Sequence, residues 1–240
     1  MHDQWGGRRR RRSPVGRLIR RLLLAIVAVA LLPFVLVPVY GVVDPVSMPM
    51  VANWVTGQPV VRRWRPLEGI SANLQRAVVT AEDARFCQHG GVDWQALHQV
   101  IEQAGPDGPA RGASTIAMQT VKNLFLWQGA GYVRKPFEIA LALWADTVWS
   151  KRRELELYLN IAQWGPGGIF GAEAGARHAF GRSAASLTPP EAARMAAALP
   201  NPVARDPRRP DAAGRAWAAT VAARARGGGA DLACLKRGGG

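Results

Sequence analysis

The chain has 240 residues, of which 48% are hydrophobic, so it is long enough to bury the core of one large domain or two small ones. This composition excludes a disordered chain and a small disulfide-stapled protein. The two cysteines, Cys87 and Cys234, belong to no cluster with metal-ligand spacing, which excludes a structural zinc site. The net charge of +14 favours an anionic partner, such as a nucleic acid, a membrane surface or a negatively charged substrate.

The positive charge is concentrated at the N-terminus, where residues 1–21 carry half of it. The uncharged apolar segment 22–43 follows, and as a helix it would extend about 33 Å, close to the thickness of the bilayer hydrocarbon. A buried core helix and a cleaved signal peptide are the alternatives, but the apolar sequence continues past the small residues at 28–30. Because arginine-rich flanks stay inside the cell, we expect a cytoplasmic tail (1–21), a transmembrane anchor (22–43) and an exported remainder. The arginines would then face lipid headgroups, which argues against nucleic acid.

The exported part has a linker, a helical domain and a tail. Residues 44–70 are proline-rich and carry Trp54 and Trp64, which predicts a membrane-proximal linker with tryptophans at the interface. Residues 71–204 show helical apolar spacing without an alternating strand pattern, which predicts an all-α domain. Residues 205–240 are rich in Pro, Arg, Ala and Gly, which predicts a weakly ordered tail. The predicted helices begin at Ser71, Asp93, Ser114, Pro136 (a long helix to about 161), Ala172 and Thr188.

Four polar clusters interrupt this helical sequence. Glu82 ends a helix before a glycine break, where its carboxylate can enter a cleft or pair with Arg85 in solvent. The glycine loop at 112 leads into a capped helix, which is either an anion site with Lys122 or an ordinary helix start. Residues 134–138 place two cations at a helix start beside Glu138, which suits a diphosphate or a surface ion pair. The alternating charges of 151–160 predict a solvated, ion-paired helix.

Together these clusters favour acid/base chemistry on an anionic, membrane-borne substrate, because two carboxylates occur among several cations in a tethered domain. These clusters and the segment from 168 to 191 also resemble the five motifs of the family 51 glycosyltransferases, which polymerise peptidoglycan from lipid II, and most closely the monofunctional, membrane-anchored members. The likeness runs from about 61 to 202 in the family's order and spacing. It is carried by Glu82-Asp83-x-x-Phe86-x-x-His89-x-Gly91, Gly112-x-Ser114-Thr115-Ile116-x-x-Gln119-x-x-Lys122-Asn123, Arg134-Lys135-x-x-Glu138, Glu156-x-Tyr158-Leu159-Asn160, and Gly168-x-x-Gly171 through Ala179-Phe180-Gly181 to Glu191.

The resemblance implies a lysozyme-like, all-α catalytic domain behind a single transmembrane helix. It implies that lipid II is polymerised into β-1,4-linked glycan strands with inversion and release of undecaprenyl diphosphate. Glu82 matches the general base, and Glu138 matches a glutamate that assists the departing diphosphate. The matched substrate-binding residues are Lys122, Arg134 and Lys135 for the diphosphate, and Phe86, His89, Ser114, Thr115, Gln119 and Asn123 for the sugar chain.

The resemblance also implies the setting of the reaction. The expected partners are lipid II, the growing glycan strand, the lipid bilayer and other cell-wall synthesis proteins, with no nucleic acid. The expected location is the inner membrane, with the N-terminus in the cytoplasm and the catalytic domain in the periplasm. No metal ligands are assigned and no cofactor is required by the sequence, although a divalent cation, Mg or Mn, is compatible with the chemistry.

Two features leave questions for the structure. Met118 replaces the first of two glutamines usual in the second motif, and we expect the change to be tolerated because Gln119 is present. A Cys87–Cys234 bridge suits an exported protein, but the spacing does not argue for one. Two other functions stay open: a glycan-cleaving enzyme of the same fold, which would not need the diphosphate-binding cations, and a non-catalytic scaffold of the cell-wall machinery.

Overall fold

Helices dominate the chain, as the sequence predicts. The computed structural model describes residues 14–103, 112–129 and 131–236. Its three short strands, Val61–Arg62 (β1), Gln163–Gly165 (β2) and Ile169–Phe170 (β3), form a sheet in the order β1-β3-β2. The mainly helical fold class is therefore confirmed. The α-helices within the described ranges are Pro14–Tyr40 (α1), Met48–Val55 (α2), Ala72–Glu82 (α3), Trp94–Glu102 (α4), Ile116–Phe125 (α5), Gly131–Val148 (α6), Lys151–Ile161 (α7), Ala172–Phe180 (α8), Pro189–Ala198 (α9) and Ala212–Arg226 (α10).

The predicted anchor is a single helix that is long and apolar enough to cross a membrane, over Val15–Tyr40. It begins before residue 22 and ends at Tyr40 rather than at 43. Most of its side chains are exposed, but Val37 is fully buried against the domain. The end of α1 that lies nearest the domain is therefore part of the folded body.

Two tryptophans bond the end of α1 to α6 and to the residue that follows α6. Pro38 has no amide hydrogen to donate to Phe34 O, and Trp144 Nε1 donates to this carbonyl at 3.0 Å. Gly41 N bonds to Pro38 O instead of Val37 O, which leaves Val37 O free to accept from Trp149 Nε1 at 2.7 Å. Carbonyls that the helix leaves unpaired are thus satisfied by side chains of the domain, and this fixes α1 on the domain.

Residues 44–70, predicted as a linker, are folded against the domain. Met50 on α2 is fully buried, and β1 pairs in parallel with β3, with Val61 opposite Ile169. The guanidinium groups of Arg62 and Arg153 lie 5.3 and 5.4 Å from the centre of the Trp64 ring, so this tryptophan packs against charged side chains of the chain itself. The proline-rich composition concealed these packed positions.

Helix starts agree with the sequence where a capping side chain decides them. Ser71 Oγ accepts from Leu74 N, and Asp93 accepts from Ala96 N, as predicted. Thr188 opens α9 with a capping box. The predicted Ser114 cap is wrong, because Thr115 caps α5 and accepts from Met118 N.

The predicted long helix from Pro136 to about 161 is wrong at both its start and its middle. Helix α6 begins at Gly131, and Pro136 lies inside it. The chain leaves the helix at Trp149, and Ser150 caps a second helix, α7, by accepting from Arg153 N. Because apolar periodicity is similar on both sides of this break, the serine cap was the only local signal for it.

The tail predicted to be weakly ordered is also wrong for its described part. Helix α10 packs against α3 and α9, and its Val221 is fully buried. Past α10, Leu235 is buried in the same core, and Cys234 forms a disulfide with Cys87. A bridge between residues 147 positions apart thus fixes the end of the described chain beside the first motif.

Candidate active site

The first motif places a carboxylate at the end of α3. Glu82 Oε2 accepts a hydrogen bond from Gln119 Nε2 at 2.9 Å. Burial raises the pKa of the Glu82 carboxyl, and the Gln119 bond and the charge of Lys122 act against this shift. A carboxylate whose pKa is raised toward neutral pH is suited to general-base work.

Asp83, the residue after Glu82, holds the end of α3 against the start of α5. Its Oδ1 lies 2.8 Å from His89 Nε2, and its Oδ2 accepts from Ile116 N at 3.0 Å. Thr115 Oγ1 donates to Gly91 O at 2.5 Å, which adds a second bond between this loop and the start of α5. The first two motifs are therefore held together by buried hydrogen bonds.

A cation cluster forms the other part of the site. Arg134 Nε and Lys135 Nζ bind the two oxygens of Glu138 at 2.5 and 3.0 Å. Lys135 Nζ also donates to Ser114 Oγ at 2.6 Å, and Arg134 donates to the carbonyl of Trp127. Glu138 is only 3% exposed, so this is a built cluster rather than a surface ion pair.

Lys122 lies close enough to both carboxylates to interact with each of them. Its ammonium interacts electrostatically with both Glu138 and Glu82, while burial lowers its pKa. It projects from α5 one turn after Gln119, the residue that bonds to Glu82. The charges therefore alternate along the site, from Glu82 through Lys122 to Glu138 and its two cations.

Two neighbouring cavities, together termed the cleft, are lined by these residues and have some lining residues in common. A cavity of about 460 Å³ is lined by Gln119, Lys122 and the cation cluster. A second, of about 270 Å³, is lined by Glu82 and Asp83. Both include residues 112–114. Glu82 and Glu138 thus line neighbouring cavities, and their joint action on one substrate stays a prediction.

Several predicted contact residues do not face this cleft. Phe86 is fully buried in the core, with Lys151 Nζ 4.7 Å from its ring centre, whereas Thr115, although only 2% exposed, lines the cavity beside Glu82. The His89 side chain is nearly buried on Asp83, and Asn123 is half-buried and lines neither cavity. Phe86, His89 and Asn123 therefore support the site rather than line it.

Met118, the departure from the second motif, is fully buried in the core between α5, α6 and α7. It does not line the cleft, whereas Gln119 does. A side chain here meets apolar neighbours, and this explains why methionine is compatible with the fold.

The helix predicted to be solvated at 151–160 is instead largely buried. Glu154 and Asn160 are fully buried, and the Tyr158 hydroxyl lies 3.2 Å from Gln119 Oε1. Sequence reasoning gave Tyr158 no site role, because it appeared only as part of the fourth motif. It also missed Arg205 and Arg224, which line cavities next to Glu82 and come from the supposed tail.

Comparison with known proteins agrees with this site. The model of the transglycosylase family matches residues 50–226. The chain is 53% identical to the biosynthetic peptidoglycan transglycosylase of Rhodopseudomonas palustris (strain HaA2), over 88% of this chain and 93% of the relative. It is 50% identical to the protein of the same name from Brucella suis biovar 1, over 92% of this chain and 99% of the relative.

These matches show that the chain belongs to the transglycosylase family and is a glycosyl-transferring enzyme. A third relative, from Nitrobacter winogradskyi, has the same name and is 51% identical over 88% of this chain and 93% of its own length. The matched region begins before the predicted domain start at 71 and includes α10.

Proposed function

We propose that this chain is a peptidoglycan glycosyltransferase that polymerises lipid II into β-1,4-linked strands, with inversion and release of undecaprenyl diphosphate. The observation that carries the proposal is that Glu82 and Glu138 line neighbouring cavities and that Lys122 interacts electrostatically with both. The names of the relatives support peptidoglycan as the substrate. The reaction forms one glycosidic bond as the bond to diphosphate breaks, so a base and an anion site are needed together.

Glu82 is the base in this proposal and removes the proton of the acceptor 4-hydroxyl as the oxygen attacks the anomeric carbon. Burial raises the pKa of Glu82 and so increases the proton affinity of its carboxylate. The Gln119 donor keeps the carboxylate oriented toward the cavity. A single attack from the face opposite the leaving group gives inversion.

The cation cluster receives the leaving group. Charge develops on the diphosphate oxygens as the glycosyl bond breaks, and Lys122, Arg134 and Lys135 lie along the cavity that would hold them. Glu138 orients Arg134 and Lys135 through two ion pairs. Because the protein supplies these groups preorganised, little reorganisation is needed in the transition state.

A protein-bound metal does not fit the donors of this cleft. Within the described residues, no group of three His, Cys, Asp or Glu side chains could hold a metal ion. Both oxygens of Glu138 are already bonded to Arg134 and Lys135. The proposal therefore routes no step through a metal.

The proposed location is supported by α1 and by the disulfide. An apolar helix of 26 residues is long enough to hold the domain at a bilayer, where the lipid tail of the substrate stays. Apolar side chains on and before α6, beside the cation cluster, are also exposed and extend the apolar surface that α1 presents to the bilayer. They include Trp127, Val133 and Phe137. Disulfides persist in oxidising compartments, so Cys87–Cys234 supports a periplasmic domain and a cytoplasmic N-terminus at the inner membrane.

The test is polymerisation of labelled lipid II by the purified full-length protein in detergent. Glu82→Gln should reduce the rate at least a hundredfold, in line with the effect of removing a general base. Glu102→Gln, at an exposed glutamate outside the cleft, is the matched control and should keep the wild-type rate. An active Glu82→Gln enzyme with wild-type folding would refute the assignment of the base.

Two further measurements separate the alternatives. Incubation with finished peptidoglycan should release no muropeptides, since release would favour a cleaving enzyme. Glu138→Gln should abolish complementation in cells that depend on this protein, whereas a scaffold would keep working.

A further inference from the structure

A buried hydroxyl lies directly behind the amide that contacts Glu82. Tyr158 is 2% exposed, and its hydroxyl is 3.2 Å from Gln119 Oε1, while Gln119 Nε2 is 2.9 Å from Glu82 Oε2. The three side chains come from α7, α5 and α3. They form one line of hydrogen bonds that ends at the carboxylate.

The chemistry of the groups fixes the direction of each bond. An ionised carboxylate only accepts, so the NH₂ end of the Gln119 amide must face Glu82. Its oxygen is then turned toward Tyr158, whose hydroxyl must donate. If the amide rotated by half a turn, its oxygen would face the carboxylate and repel it, and the ionised form of Glu82 would be disfavoured.

We infer that Tyr158 is a positioning residue that locks the orientation of the Gln119 amide and thereby keeps Glu82 ionised and ready to accept a proton. The inference deepens the proposed function and rests on Glu82 being its base. Tyr158 suits the task because burial raises its pKa, so the hydroxyl remains a donor over the working range of pH.

The backbone around the line is fixed independently of Tyr158. Asp83 bonds to Ile116 N at the start of α5, and Thr115 bonds to Gly91 O, so α3 and α5 stay in place without the tyrosine. Loss of the hydroxyl should therefore free the amide to rotate without moving the helices. This separates a positioning role from a structural one.

The experiment measures the pH dependence of lipid II polymerisation by the full-length protein. Tyr158→Phe keeps the buried ring and should lower kcat about threefold to tenfold with little change in KM. The acidic limb of its pH profile should move to higher pH, because Glu82 without its donor is protonated more easily. Tyr40→Phe, at a ring stacked on Phe125 outside the line, is the matched control and should keep the wild-type profile.

A double-mutant cycle gives a second readout. Gln119→Leu should move the acidic limb in the same direction, and adding Tyr158→Phe to it should have no further effect, because the tyrosine acts through the amide. An unshifted limb in Tyr158→Phe, or additive effects of the two substitutions, would overturn the inference. Absence of polymer from the wild-type protein would instead count against the proposed function itself.

Discussion

Glu154 is a glutamate in the core of an enzyme domain, and its replacement by glutamine should make the protein more stable at alkaline pH. The side chain is fully buried, and one of its oxygens has no hydrogen-bond partner within the described residues. Burial raises its pKa from 4.5 to about 7, although Lys151 lies 3.4 Å away. The fold therefore prefers the protonated acid.

The magnitude follows from this pKa. A group whose pKa is higher in the folded chain than in the unfolded chain binds more protons when folded, so the free energy of unfolding falls as the pH rises from about 4.5 to about 7. Above that range the ionised Glu154 costs about 3 kcal/mol. Glutamine has the same shape and no charge, and Lys151 keeps Asp146 at 2.6 Å.

The assay is urea unfolding of the full-length protein in detergent, followed by circular dichroism at pH 4.5 and pH 8. Glu154→Gln should exceed the wild type by about 2–3 kcal/mol at pH 8 and by little at pH 4.5. Glu102→Gln, at an exposed position, should show no such dependence on pH. An equal difference at both pH values, or a less stable variant at pH 8, would refute the reasoning.

Three further results are expected. Met118→Gln should lower the free energy of unfolding by about 1–3 kcal/mol without raising the polymerisation rate, because the amide would be buried among apolar side chains; a faster enzyme would show that this position reaches the cleft. Reduction of Cys87–Cys234 should lower stability by up to about 5 kcal/mol, as loop entropy gives for a separation of 147 residues; an unchanged urea midpoint in dithiothreitol would contradict this. Gly91→Ala should cost about 3 kcal/mol, because Gly91 has φ +68° and a Cβ there would lie 2.5 Å from Ala142 O. Gly57→Ala is the control, because Gly57 has a similar φ and open space around the Cβ position, and it should destabilise the protein less. Equal losses of stability would show that the Ala142 contact contributes nothing.

The residues of the charged site could be singled out from the sequence because they occur in motifs with a fixed spacing. Glu82 and Glu138 are 56 positions apart, yet their local patterns singled out both, and they line neighbouring cavities. Capping residues such as Ser71 also worked, since a cap is a local interaction. Motif spacing could not predict which polar side chains are buried. Glu154 and Tyr158 are examples, because their alternating charged neighbours suggested a solvated helix.

The predictions of a linker at 44–70 and of a weakly ordered tail after 204 were wrong for the same reason. Helix α10 is made largely of alanine and arginine, and its only large apolar residues are Trp217 and Val221, so it lacks the apolar periodicity that identifies a core helix. It packs through small side chains such as Ala218 and through Val221, and the disulfide holds the chain beyond it. Residues 44–70 likewise pack through few apolar positions, so composition alone indicated neither segment's order.

The bonds from Trp144 and Trp149 to α1 have a mechanical consequence. A helix that is longer than the local hydrocarbon thickness tilts in order to fit, and the tilt changes with the thickness of the bilayer. A flexible linker between the helix and the domain would keep that rotation from reaching the enzyme. Because these two bonds join α1 to the domain, we expect the two to turn together in a bilayer, and lipid composition would then set the angle at which the cleft meets the membrane surface.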